Sequence, residues 1–318
     1  MQSRRWLSTI RRARRRLAQR GVAASDINVL VAHAHDPPLS RESLFLHPDK
    51  LLTPAESQRL EDLTSRRLAG EPLAYVTGVK EFWSLPFKVT KDTLIPRPDS
   101  ELLIDTLLNL HTKDDPLRIL DIGTGTGCLI VAALAEFPNA TGVAIDISPA
   151  ALQVARHNAD THGMASRMIC IEQDMRRFDR DMTLHWATPP FDVVLCNPPY
   201  ISMDEVPWMD AHGTRFSLVR RQLCHIMEVG IVVVLHEPHL ALFADHDGLA
   251  LYSVLRSPLR DQLLRPGGHV LFEVGFAQAA RVVDLYKGAS FIQSTRLDRM
   301  VVQDVQGIDR VVVMQTRP

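Results

Sequence analysis

Leu117-Arg-Ile-Leu-Asp121 runs into Ile122-Gly-Thr-Gly-Thr-Gly127, and an apolar helical stretch follows through Ala135. A short β-rich run, a turn with glycine at every second position and a helix give the strand, loop and helix order of an α/β sheet. Glycines clear side chains from the turn, so a ligand can approach the main chain there. The spacing is GxGxG. The GxGxxG form that reads a pyrophosphate is absent from this turn, which weighs against a dinucleotide.

The remainder of the C-terminal part repeats this alternation. Ala140 to Asp146 reads as a second strand and Pro149 to His157 as its helix; Met168 to Ile171, Phe191 to Cys196 and His269 to Val274 read as further strands. Residues 250–264 read as helix, and Phe291 with Arg310 to Met314 as late strands that include an antiparallel pair. The expected fold class is α/β, a doubly wound Rossmann-like sheet. Residues 10–80 carry helical spacing without strand signals, with helix starts at Ser25-Asp26, Ser40 and Thr53-Pro54 and an end near Gly70-Glu71-Pro72. Between the two parts, residues 81–98 read as a β-hairpin linker that ends in Ile95-Pro-Arg-Pro98. Asp99 is expected to cap a helix from Ser100 to Leu110 within a catalytic domain at 99–318.

Charge is unevenly spread. Residues 1–20 hold eight arginines and no acid, leaving 28 basic against 37 acidic residues in the rest. A mildly acidic body argues against a nucleic acid held by its phosphates. The arginine-rich, acid-free start reads either as a mitochondrial transit peptide or as a basic first helix of the folded chain. No apolar run reaches membrane-spanning length without charge. The cysteines 128, 170, 196 and 224 show no CxxC pairing and read as reduced thiols. No metal site is expected, because Pro238 interrupts the one close histidine pair, His236 and His239.

The chemistry is expected at the carboxyl ends of the strands. Asn197-Pro-Pro-Tyr200 leaves the Phe191–Cys196 strand there. Two prolines stiffen the turn and remove two N–H donors, and Asn197 adds a side-chain oxygen. Such a corner can hold a planar –NH2 group by both hydrogens while Tyr200 covers its face. Asp146, nineteen residues after Gly127, is placed for ribose hydroxyls. Asp121 is placed for a cationic amino-acid end, and Asp174 reads either as a residue of a solvated loop or as a contact to an adenine ring. A glycine turn with two carboxylates, no phosphate signature and an acceptor-lined corner fits S-adenosylmethionine. Gly123, Thr124, Gly125, Thr126 and Gly127 would line it.

With these residues in view, the sequence closely resembles the peptide-chain release factor N5-glutamine methyltransferases of the HemK/PrmC type. The likeness extends over nearly the whole chain, through Gly70 to Tyr75, Ile95 to Glu101, Asp121 to Gly127, Asn197 to Tyr200, Glu237 to Leu242, Asp247-Gly248 and Gly307 to Val311. The resemblance implies a class I S-adenosylmethionine-dependent fold behind a helical substrate-recognition domain. It adds Met175 and Asn197 to the cofactor site, and it puts Asn197, Pro198, Pro199, Tyr200, Arg97 and Glu237 on the substrate side. Asn197, Pro198 and Tyr200 would be catalytic, by positioning an amide nitrogen rather than by acting as a base. The implied substrate is the glutamine of the Gly-Gly-Gln motif in a release factor, with the enzyme a monomer and the organellar member of its family. Two departures stand out: Asp99-Ser100 replaces the family's usual Glu-Thr, and 36 residues separate Tyr200 from Glu237, so that 212–235 reads as an insertion. The alternatives are a nucleobase amino-methyltransferase, since the same tetrapeptide can serve exocyclic amines, and a catalytically impaired cofactor-binding partner of translation factors.

Overall fold

The computed structural model of the chain describes residues 8–178, 185–202, 236–288, 290–294 and 296–317. The expected insertion at 212–235 and Cys224 lie outside them. The chain divides into two compact units, Met1–Val79 and Lys80–Pro318.

In the first unit, α1 (Ile10–Gln19) begins where the Thr9 hydroxyl accepts the Arg12 N–H at 3.3 Å. Ile10, Ala13 and Leu17 sit in the unit's core, and the arginines take the opposite face. Arg11 pairs with Asp49 at 3.1 Å, and Arg16 and Arg20 reach Glu61 at 2.6 and 2.5 Å. From Ile10 onward the arginine run forms the basic first helix of a folded unit, while Arg4 and Arg5 of the expected transit peptide lie outside the described residues. The helix α2 (Ala24–His33) starts ahead of Ser25-Asp26 with no side-chain cap; Asp26 instead lies buried and pairs with Arg67 at 2.7 Å. Ser40 caps α3 (Arg41–Leu46), and Thr53 with Glu56 forms a full capping box on α4 (Pro54–Leu68). The unit continues past Gly70 through α5 (Leu73–Thr77), which stops at Gly78 in the left-handed region.

The second unit opens within β1 (Val79–Phe82), which pairs with β2 (Leu85–Lys88) across a turn through Trp83 and Ser84 at positive φ. Phe82 and Phe87 are fully buried beside Leu103 and Leu107, so the hairpin is part of this unit's core rather than a linker. Asp99 does not cap the helix α6 (Glu101–Leu110) that follows; its carboxylate pairs with Arg310 at 3.1 Å.

Then come β3 (Arg118–Ile122), α7 (Cys128–Glu136), β4 (Thr141–Asp146), α8 (Pro149–Thr161), β5 (Met168–Glu172) and β6 (Phe191–Cys196). After a two-residue strand β7 (Ile201–Ser202) and its partner β8 (Phe243–Ala244) the chain forms α9 (Ala250–Pro258), β9 (Leu264–Glu273), α10 (Ala279–Tyr286), β10 (Phe291–Ile292), β11 (Val301–Gln303) and β12 (Asp309–Thr316). The main sheet runs β10-β12-β9-β6-β3-β4-β5, with β11 also on β12. The strands from β9 to β5 are parallel; β12 lies antiparallel to β9.

Apolar side chains cover both faces of this sheet. Leu120, Ile122, Val143, Val194 and Cys196 face one core, while Ile119, Ala144, Val193 and Leu195 face the other. Burial on both sides is why these strands read as continuous apolar runs. The chain moves from β3 outward through β4 and β5, then returns to β6 on the other side of β3, which makes the β3/β6 gap the switch point where such sheets bind ligands. Register sharpens the placement. Ile122 is level with Ile145 and Cys196, and Cys196 with Phe272, so Gly123, Asp146, Asn197 and Glu273 leave the sheet in one row.

Candidate active site

Asp121, the next-to-last residue of β3, is fully buried, with Oδ2 accepting the Thr124 hydroxyl at 2.6 Å. Its Oδ1 is buried with no hydrogen-bond partner among the described residues. Burial, offset by Thr124 and reinforced by the nearby Asp146, raises its pKa to about 7. The next residues fold back on β4: the Gly123 and Thr124 N–H groups both donate to the Ile145 carbonyl at 2.9 Å. Gly123, Gly125 and Gly127 all take positive φ, which explains the alternate glycines. A Cβ on Gly127 would stand 3.1 Å from the Ala155 Cβ, so that glycine also lets α8 approach. At Gly125 a Cβ would meet nothing within 4 Å, which leaves the loop open on that side.

Asp146 locks this loop from the next strand. Its Oδ2 accepts the Gly125 N–H and its Oδ1 the Ser148 N–H, both at 2.9 Å. Each oxygen keeps a further lone pair for another donor. Burial raises its pKa despite those bonds. Met175 comes close as well: a Cβ on Gly123 would lie 3.3 Å from the Met175 Cε. Asp174 is differently used. Its carboxylate is held by the Arg176 side chain and N–H at 2.9 Å, and the Arg176 hydrogen bond is the main cause of its lowered pKa. The carboxylate expected at adenine is thus engaged by arginine.

Asn197 follows β6, with Pro198 buried and Pro199 and Tyr200 half-buried. The Asn197 amide donates through Nδ2 to the Ser100 oxygen at 3.2 Å, which leaves its Oδ1 as the group free to accept. Ser100 in turn donates to Glu273 Oε2 at 2.5 Å, and the Tyr200 hydroxyl to Oε1 at 3.3 Å. The Tyr200 main chain is fixed too: its carbonyl accepts from Gln278 Nε2 at 2.9 Å, and Gly248 leaves no room for a Cβ against it. Burial, with Glu273 next, pushes the Tyr200 phenol pKa up.

Arg97 and Glu237, expected to face substrate, bind each other. Glu237 is buried, its Oε1 pairing with Arg97 at 2.6 Å and its Oε2 accepting the Ile95 N–H at 3.1 Å. Both oxygens are engaged in closing the Ile95-Pro-Arg-Pro98 segment onto the unit. Ser100 and Glu273 are the residues that the sequence reading left out of the site. An acid at the tip of a strand was the signal that marked Asp146, and Glu273 carries the same signal in the same row.

Comparison with known proteins follows the same outline. Residues 8–78 match the family described as PrmC N-terminal domain, and residues 113–250 the family described as methyltransferase domain. The release factor glutamine methyltransferase of Cereibacter sphaeroides is 38% identical over 308 residues, covering 95% of this chain and 95% of that protein. Its counterpart in Bradyrhizobium diazoefficiens is 35% identical over 309 residues, covering 96% and 92%. A bifunctional methyltransferase of Rickettsia typhi is 32% identical over 305 residues, covering 90% of this chain, which spans only 52% of that longer protein.

S-adenosylmethionine, the cofactor, fits the residues present. The unpaired Asp121 oxygen suits its ammonium, the open glycine turn its approach to the backbone, and the spare Asp146 lone pairs its ribose hydroxyls. The fold is a class I methyltransferase sheet, preceded in sequence by a separate helical unit, and among the described residues no helix is long and apolar enough to cross a membrane. On the extent and level of these likenesses, the chain belongs to the release factor glutamine methyltransferase family.

Proposed function

We propose that the chain methylates the side-chain nitrogen of the glutamine in the Gly-Gly-Gln motif of a peptide-chain release factor, with the helical first unit contributing to recognition of that protein. The carrying observation is the orientation of Asn197: its –NH2 is tied to Ser100, so the oxygen is what it offers to a ligand. The names of the bacterial relatives support a release factor glutamine as the substrate.

An amide nitrogen is a weak nucleophile, because its lone pair is delocalised into the carbonyl. The cofactor supplies an electrophilic methyl carbon on a sulfonium. Asn197 Oδ1 and the Pro198 carbonyl accept the two amide hydrogens and turn the nitrogen toward that carbon, and Tyr200 closes the face of the amide. Positioning of this kind is worth about 7–11 kcal/mol of barrier. Acceptors fixed beforehand also stabilise the positive charge growing on nitrogen. The alkylated amide is acidic enough to release its proton to water, so no side chain need act as base. Tyr200 is unsuited to that role in any case, since its phenol is held in the protonated form.

Incubating the purified chain with labelled cofactor and, in parallel, release factor, DNA and RNA tests the proposal. Label should enter release factor alone. Transfer to a nucleic acid with none to protein would replace this reading with the nucleobase one, and no transfer at all would favour an impaired cofactor-binding protein.

A further inference from the structure

Glu273 closes β9 with 2% of its surface exposed, yet both its oxygens are engaged by groups of the substrate corner. The hydrogen bonds run in one direction. An ionised carboxylate can only accept, so Ser100 and Tyr200 must both donate to it. A serine whose hydrogen is committed in this way has only lone pairs left. It can therefore receive the Asn197 –NH2 but cannot donate to the Asn197 oxygen. Burial raises the Glu273 pKa; the Ser100 and Tyr200 hydrogen bonds oppose it and favour the charged form, with Asp99 adding to the rise and Arg310, on β12, reducing it.

We propose that Glu273 is a positioning residue that sets the donor and acceptor polarity of the substrate corner through Ser100, so that Asn197 presents an oxygen and the corner accepts a primary amide while rejecting a carboxylate. This rests on the reading of Asn197 as the amide acceptor. Neutralising Glu273 removes the constraint, because an amide at that position can donate as well as accept. Ser100 is then free to turn its hydrogen toward Asn197, and the Asn197 amide can present either end. A corner that presents –NH2 repels an amide donor and suits an acid.

The test uses the full chain, cofactor and purified release factor, the last also prepared with glutamate in place of the target glutamine as a competitive inhibitor. Glu273→Gln and Ser100→Ala should each lower kcat by about tenfold or more, the loss expected for one charge-assisted hydrogen bond. Cofactor affinity should stay within about twofold, since neither residue is placed to touch it. Ser100→Thr returns the hydroxyl and should recover most of the turnover lost in Ser100→Ala. In Glu273→Gln the preference for the glutamine over the glutamate form of release factor should shrink by about tenfold, which a packing role alone would not produce. Should Glu273→Gln fail to fold, Ser100→Ala and its threonine rescue decide the matter. Unchanged kcat and unchanged discrimination in variants of an otherwise active enzyme would overturn the relay alone, as would parallel loss of cofactor affinity and turnover. No transfer by the unsubstituted protein would overturn the underlying reading and the relay with it.

Discussion

Asp121 shows how a single buried group can report on the ligand beside it. Its pKa of about 7 lies above that of a carboxylate in an unfolded chain, so the folded protein binds the extra proton between about pH 4 and 7. The sign follows: this group's contribution to stability declines as pH rises through that window. A bound ammonium favours the ionised form and lowers the pKa, so cofactor binding at pH 6.5 should release protons. Calorimetry in buffers of different ionisation enthalpy measures that release, and Asp121→Asn should abolish it; equal release from both proteins would contradict the assignment. His269 has the opposite sense. Buried at the start of the β9/β12 ladder, with Nε2 on the Ser294 hydroxyl at 3.0 Å and Nδ1 without a partner among the described residues, it has a pKa lowered to about 4, mainly by burial. The unfolded chain therefore binds more protons between about pH 6.5 and 4, and stability is lost as pH falls through that range. Urea midpoints measured across it should fall less steeply in His269→Gln than in the parent; an unchanged slope would mean that other groups govern acid unfolding.

At the level of elements, the short Ile95-Pro-Arg-Pro98 segment and the glycine turn carry predictions of their own. Glu237→Gln keeps the shape of the side chain but removes the charge that meets Arg97, and should destabilise the protein by about 1–3 kcal/mol. Release factor affinity measured below the melting range should change little, contrary to the substrate-binding role first expected of this pair. Gly127→Ala forces a Cβ both into a left-handed backbone and against Ala155, at roughly 1–3 kcal/mol of strain, and denaturant titration should detect it. The elements that sequence reading located well were those with strong local signals. Examples are β3, β4 and β6, apolar on both faces, and α4 with its capping box. Those it missed are short or held by distant partners: five-residue α5, three-residue β11, and the turn at Pro98–Ser100. Ser100 looked like an ordinary helix start, because its function depends on Glu273, which lies 173 residues away in sequence. Glu273 itself was absorbed into an apolar strand run, and only the register of β9 against β6 puts it level with Asn197.

Taken as a whole molecule, the chain joins a helical unit matching a PrmC N-terminal domain to a methyltransferase sheet. The sheet's switch point brings the glycine turn and the Asn197-Pro-Pro-Tyr200 corner together at the carboxyl ends of its strands. Glutamine and asparagine amides are common on protein surfaces, so under the proposed function selectivity for one glutamine cannot come from Asn197 and Pro198 alone. It requires that the partner protein present that side chain, and a free glutamine or short peptide should be a far poorer substrate than intact release factor. The most direct measurement is fragmentation mass spectrometry of release factor after incubation with the chain and cofactor. One methyl group on the side-chain nitrogen of the Gly-Gly-Gln glutamine, lost when Asn197 is replaced by alanine, is the predicted result; an unmodified glutamine, or methyl groups spread over other residues, would contradict it.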